Sequence, residues 1–427
     1  MNDAQRLIRK ALDDVRVIDP HCHLRLAKPS ADTLADVVLY HHVWIELVSS
    51  GMSPFEVSAS GLPHELKEPE MSPFERVRRS LKHLPNVRNT TLGLFLRWIL
   101  RDLYGVDQLT ESNLETVFAD AAQKGADPAW QERLLRERCG IDCNISVEAH
   151  TAPCSPRMRK AREVFPANLI HGKQSTRDIL AGWASSFGRE IDTAHDYTAF
   201  LEKTIAGLPV SDYKFLGWWV VPYLTHALSG EDHVTRTLRK VRDNVSLTHD
   251  EIGGFCCFGM TTMLQALRKT SLRTIQVIVG AEVLLPHRSL THWDGNFCGA
   301  IGRIANQFED FRFDLSAASD AYTQDLGILA RHIPNVSVAG YWWHTFYPHY
   351  IRKSLETRLD LVPANKITAY FSDAYHAEWC YPKLKMVKQI LEEILVVRID
   401  KGWCDTDIAL DLIHKLFYEN PKTIYGV

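Results

Sequence analysis

Val17-Ile18-Asp19-Pro20-His21-Cys22-His23-Leu24 is the stretch of this 427-residue chain whose reading decides the fold. The apolar run Val15–Asp19 reads as a first strand, and it opens onto His-x-His. Side chains at i and i+2 share one face of a strand, so both imidazoles can reach one ion. Imidazole nitrogen suits a borderline divalent ion such as Zn²⁺, Mn²⁺ or Fe²⁺. The alternative is a polar strand tip whose histidines are satisfied by hydrogen bonds.

Outward from that strand the chain alternates helices with short β-branched runs that end in polar tips. Asn144–Val147, Asn168–His171, Trp218–Val221, Thr274–Val279, Phe313–Leu315, Val336–Ala339 and Ile367–Phe371 read as strands. Trp130–Arg138, Asp192–Ile205, Thr261–Lys269, Lys353–Asp360, Leu384–Val397 and Asp405–Tyr418 read as helices. This is the rhythm of a parallel sheet with crossover helices. At this length a closed (β/α)₈ TIM barrel is expected, residues 1–427 forming one domain with its chemistry at the carboxyl ends of the strands. Residues 52–128 hold helices and Pro/Gly punctuation but no strand pattern, and read as a helical insertion capping the site. An open doubly wound sheet is the alternative architecture. No Gly-x-Gly-x-x-Gly follows the first strand and there is no P-loop, so nucleotide cofactors lose ground.

A net charge of -3 supplies no field toward nucleic acid or an anionic membrane. Nine cysteines, an odd number, behind a polar start rather than a secretory leader point to a reducing, cytoplasmic setting. No apolar run approaches the ~18 residues of a membrane span.

Asp373 directly follows the last clear strand. In a closed barrel the last strand neighbours the first, so Asp373 can face His21 and His23 across ~350 residues of chain. There it would ligate the ion, act as a base, or do both; a helix N-cap is the plain alternative. His41 and His42 fall in a helix read over Thr33–Ser49 and point about 100° apart, so at most one faces the site. Gly340-Tyr341-Trp342-Trp343-His344 follows a strand and reads either as an aromatic wall for a sugar or as packing. Arg288, Arg352, His287, His349, His376 and Glu378 are polar groups near strand ends, each able to meet an anion.

These residues together resemble the uronate isomerase family of the amidohydrolase superfamily. His21-Cys22-His23-Leu24 is similar to its first-strand metal motif. Tyr40-His41-His42-Val43-Trp44 resembles its His-Tyr-Lys-Trp segment, and Gly340-Tyr341-Trp342-Trp343-His344 its Gly-Trp-Trp-Phe-Asn. Ser372-Asp373 matches its Thr-Asp, and Phe417-Tyr418-Glu419-Asn420 through Tyr425-Gly426 its ending. The motifs occur in order over nearly the whole chain.

The resemblance implies a barrel of the metal-dependent hydrolase type holding one divalent metal ion on His21, His23 and Asp373, zinc foremost, with manganese or iron as alternatives. It implies aldose–ketose interconversion of a uronate such as glucuronate, with Asp373 as base and His41, or its neighbour His42, orienting or shuttling a proton. Trp342, Trp343, His344, Tyr375, Arg352 and Arg288 are the expected substrate-binding residues. The expected partner is a small sugar acid, with no nucleic acid and no membrane, and with room for a homo-oligomer. The chain also departs from the family. Tyr375 stands in place of an arginine, His42 in place of a tyrosine, Ile278 in place of a histidine, and Glu282 or Val283 where a second arginine would lie. Tyrosine does not replace a bidentate cation. A metal-dependent hydrolase, drawing on His150, His171 or His226, and a sugar-binding protein without catalysis are therefore kept as alternative readings.

Overall fold

The computed structural model describes residues 3–58, 71–148, 157–164, 169, 175–284, 288–291 and 293–427. The chain divides into two compact units: Met1–Met158 with Phe346–Arg352 and Tyr370–Tyr418, and Arg159–Thr345 with Lys353–Ala369 and Glu419–Val427.

In the first unit, β1 (Val17–Cys22) runs parallel to β2 (Ile141–Ser146), and every residue of β1 is buried. The pairing is irregular between Asp19 and Cys22. Pro20 lies inside that irregularity and has no N–H to give to a ladder. β1 ends three residues later than expected, so His21 lies within the strand and His23 just beyond it. Between β1 and β2 the described residues form helices and no strand, including Leu34–Val38, His41–Ser49, Pro73–Ser80, Thr91–Tyr104 and Leu114–Ala126.

The single helix expected over Thr33–Ser49 is two. Thr33 and Asp36 form a reciprocal capping box on Leu34–Val38, while Tyr40 at ψ 132° breaks the chain before His41–Ser49. The apolar periodicity runs on through Leu39 and Tyr40 and hides the break. His41 and His42 therefore open a helix instead of lying within one.

The second unit holds β3 (Met158–Glu163, all but its first residue), β4 (Tyr213–Val220), β5 (Thr274–Val279), an antiparallel hairpin of β6 (Ala281–Leu284) and β7 (Arg288–Thr291), then β8 (Arg312–Ala317) and β9 (Val336–Val338). Parallel ladders join β3 to β4, β4 to β5, β5 to β8 and β8 to β9. Thr274–Val279 has the bounds read from its β-branched run. β3 was not foreseen, because Met-Arg-Lys-Ala-Arg-Glu buries only its first and fourth residues. The candidate strand Asn168–His171 lies, apart from Leu169, outside the described residues. His150, His171 and His287 lie outside them as well. Ile367 bridges Val338, and Thr368 donates to the Val338 carbonyl at 2.9 Å, but no longer ladder forms along Ile367–Ala369.

The C-terminal helix Asn420–Tyr425 closes the amino ends of β4, β5 and β8 in this unit. Lys214 donates to Gly426 O at 2.7 Å, Thr274 to Ile424 O at 3.0 Å and Arg312 to Thr423 O at 2.6 Å. Tyr425 donates its hydroxyl to the buried Asp314, which also accepts from Ser337 Oγ at 2.6 Å. With that end sealed, the carboxyl ends of these strands are left for chemistry. The helix His249–Leu267 packs against the loop that follows β4: a Cβ on Gly253 would lie 2.0 Å from the Tyr223 carbonyl oxygen. Helix propensity alone favours Ala over Gly by about 1 kcal/mol. The contact with backbone reverses that sign, so Gly253→Ala is expected to destabilise the protein by about 1–3 kcal/mol in urea unfolding. A stabilised variant would refute the close approach.

Candidate metal centre

His21 is fully buried at the tip of β1, and its Nε2 lies 3.4 Å from Asp373 Oδ1. His23 Nε2 lies 3.4 Å from the same oxygen. The two histidines offer nitrogens within 4.8 Å of each other, with their rings crossed at 76°. Donors held about 2.0–2.1 Å from a tetrahedral ion stand roughly 3.3 Å apart. Two imidazoles and one carboxylate oxygen at this spacing therefore fit a divalent ion. His23 Nδ1 meets Glu148 Oε1 at 2.9 Å. With a proton on Nδ1 donated to that carboxylate, the Nε2 lone pair would be free for a bound ion, as outer partners arrange for metal-bound histidines.

Backbone and buried polar groups hold this corner together. The Asp373 N–H donates to His21 O and the His23 N–H to Ala374 O, both at 2.9 Å. Asp373 adopts φ +48°, one of two non-glycine residues at positive φ among those described. Asp19, fully buried in β1, accepts from Ser372 N at 2.8 Å, Ser372 Oγ at 2.7 Å and Asn144 Nδ2 at 2.8 Å. On the carbonyl side, Lys383 donates to Ser372 O at 2.6 Å and to Asp373 O at 3.3 Å, and Tyr40 Oη donates to Asp373 O at 3.2 Å.

The two aspartates titrate in opposite senses. Burial pushes the Asp19 carboxyl up, and its hydrogen bonds from Ser372 and Asn144 only partly offset this. Burial also acts to raise Asp373, but His21 and His23 outweigh it and hold that carboxyl far below the usual range. Burial lowers the Lys383 ammonium.

The structure brings several expected site residues together in the first unit. Tyr375 stacks flat on His23 at 4.3 Å, and His41 meets Tyr375 edge-on at 4.7 Å. His42 lies against His41 at 3.9 Å and is buried. Arg352 is not part of this group: its guanidinium is engaged by Glu393 on the helix Ala377–Asp400. It lines a separate cavity of about 1120 Å³ with Arg9, Leu12, Lys388 and Glu392. The remaining candidates belong to the second unit. Trp342 packs with Trp219, Ile278 and Ala318, and His344 meets Trp342 edge-on at 5.4 Å. Trp343 opens the short turn Trp343–Thr345, and Arg288 begins β7. Asp19 as an anchor, Glu148 beyond β2 and Lys383 were not assigned roles from sequence. Glu148 had a signal, since it follows a strand end, where such sheets place their chemistry.

No protein-family model matches the chain. It is similar to a uronate isomerase of Thermotoga sp. (strain RQ2), 20% identical over 456 aligned positions that cover 96% of this chain and 95% of the relative. Among solved structures, a uronate isomerase from Thermotoga maritima superposes with a TM-score of 0.81 at 15% identity, covering 100% of this chain and 98% of the other. A glucuronate isomerase from Caulobacter crescentus gives 0.80 at 17% identity, with 99% and 94% covered. The chain thus has the mixed α/β fold of these structures.

The depressed Asp373 carboxyl sets a direction for acid stability. Its unfolded value is near 3.9 and its folded value is lower, so its contribution is complete above about pH 4 and is lost as the pH falls through the folded value. Urea unfolding of metal-free protein between about pH 4 and pH 2 is therefore expected to show a steeper loss in the wild type than in Asp373→Asn. Parallel slopes would remove the ion pairs with His21 and His23 from the account.

Proposed function

We propose that this protein is a metal-dependent uronate isomerase that interconverts an aldose uronate with its ketose, glucuronate with fructuronate being the type case. The observation that carries the reading is the convergence of His21, His23 and Asp373 on one point in a chain alike, over 96% of its length, to a uronate isomerase. The reading brings with it a closed (β/α)₈ barrel in one domain, residues 52–128 as a helical cap, and cytoplasmic sugar-acid metabolism. One divalent ion, zinc foremost, is held by His21, His23 and Asp373.

When bound, such an ion supplies Lewis-acid polarisation of the sugar carbonyl and the hydroxyl beside it. Asp373 is ionised throughout the neutral range and so is an acceptor. With Oδ1 turned to the histidines, Oδ2 is left to take the C2 proton of the open-chain aldose. The C2–H electron pair forms the C1–C2 double bond of a cis-enediol, and the C1 carbonyl oxygen takes up a proton. Return of a proton to C1 and loss of one from the C2 hydroxyl complete the ketose. His41, edge-on to Tyr375, is the residue assigned to move the proton between the two oxygens. Glu148 and Tyr375 keep the His23 ring in place. Trp342, Trp343 and His344 bind the sugar chain. With Arg352 engaged by Glu393, Arg288 is the remaining candidate cation for the substrate carboxylate.

The test is a hexuronate panel with zinc-loaded protein in deuterium oxide, run beside lactone and ester substrates. Aldose–ketose conversion is expected, with solvent deuterium in the product where the proton exchanges. Asp373→Asn is expected to lower kcat by at least about 10²-fold. Acid release from the lactone panel without any isomerisation would move the protein to the hydrolase reading. Full turnover by Asp373→Asn would refute the mechanism.

A further inference from the structure

Lys383 is a buried cation close behind the ion's carboxylate ligand. It is 1% exposed and lies on the helix Ala377–Asp400, immediately after Pro382. Its ammonium sits against the faces of Tyr40 at 5.7 Å and Phe346 at 5.3 Å. Its hydrogen bonds go to two consecutive carbonyls, Ser372 O at 2.6 Å and Asp373 O at 3.3 Å. Those carbonyls flank the residue whose φ is +48°. A non-glycine residue there costs of order 1–3 kcal/mol unless its surroundings impose the conformation. Two consecutive carbonyls aimed at one ammonium are such an imposition, because an extended chain would turn the second carbonyl away.

We infer that Lys383 is a positioning residue for the metal centre: its ammonium clamps the Ser372–Asp373 peptide in the left-handed turn that aims the Asp373 carboxylate at His21 and His23. Asp19 holds the preceding peptide by its Ser372 N–H, and the Ser372 side chain by Oγ. Tyr40 holds the Asp373 carbonyl by a neutral hydrogen bond. Lys383 is the cation among these, and a charge-assisted bond is roughly twice as strong as a neutral one. Lys383 touches no donor atom of the proposed site, so it acts through the geometry of Asp373. The inference rests on His21, His23 and Asp373 being ligands, and is independent of which sugar the enzyme takes.

The test measures zinc affinity of the metal-free protein by chelator competition, with thermal unfolding of the same samples. Lys383→Met is expected to weaken zinc binding by about 10–100-fold, the range seen when outer partners of metal ligands are removed. Activity is expected to recover toward wild type at saturating zinc. Arg76→Met removes another buried cation of the first unit, one that donates to Val57 O at 2.7 Å. It is expected to lower stability while leaving zinc affinity within twofold, which separates positioning from general destabilisation. Where Lys383→Met does not fold, Lys383→Gln keeps a donor without the charge and is expected to fall between wild type and a 10-fold loss. Wild-type zinc affinity in a folded Lys383 variant would overturn the inference, as would equal losses in Arg76→Met. Wild-type protein that binds no zinc would overturn the metal reading itself. Zinc binding without uronate turnover would refute the proposed function and leave the role of Lys383 standing.

Discussion

The metal corner depends on one backbone constraint, the left-handed turn at Asp373 and its attachment to the tip of β1. Asp373 N–H to His21 O and His23 N–H to Ala374 O tie the two segments as short ladder bonds would. They bring a residue far along the chain to the first strand with its side chain inward. A positive φ at an aspartate is costly alone and persists where the surroundings over-determine it. Here the surroundings are the Asp19 carboxylate at Ser372 N–H and Oγ, and the Lys383 ammonium and Tyr40 phenol at the carbonyls of Ser372 and Asp373. Loss of the turn would swing the carboxylate away while leaving His21 in the strand and His23 just beyond it.

The two buried aspartates divide the work by the partners they are given. Asp19 spends Oδ1 on Ser372 N–H, and Oδ2 on Ser372 Oγ and Asn144 Nδ2. Those donors are neutral, so burial prevails and its carboxyl rises. Asp373 faces two imidazoles and its carboxyl falls. Asp373 is thus the carboxylate turned to His21 and His23, while Asp19, only two residues from His21, is turned to Ser372 and Asn144. A buried acid with its acceptor sites filled serves as a scaffold.

What was legible in the sequence follows from how strongly each local signal was written. β1 and Thr274–Val279 show because β-branched residues dominate them, Val17 and Ile18 in the first and all but Gln276 in the second, and the candidate ligands His21 and His23 stand at the end of the first. β3 did not show, because its Met-Arg-Lys-Ala-Arg-Glu carries charge where a buried strand is apolar. The break at Tyr40 did not show either, since apolar periodicity continues across it; the result is that His41 stands at a helix start, edge-on to Tyr375. Lys383 was hidden for another reason. A lysine in a long amphipathic helix ordinarily reads as part of a solvated face, and only tertiary packing discloses that this one points at two carbonyls. Arg352 is the converse: its place near a strand end suggested an anion site, but a carboxylate on a neighbouring helix holds it.

His21, His23 and Asp373 all lie in the first unit, together with Glu148, Asp19, Lys383 and Tyr40 that hold them. Trp342, Trp343, His344 and Arg288, the groups assigned to the sugar and its carboxylate, lie in the second. Within the first unit the groups of the metal corner are tied to one another by hydrogen bonds. On the proposed reading, ion affinity follows how firmly the Asp373 turn is held. Tyr375, which stands where the resemblance calls for arginine, stacks flat on His23, so in this chain that position supports the His23 ring.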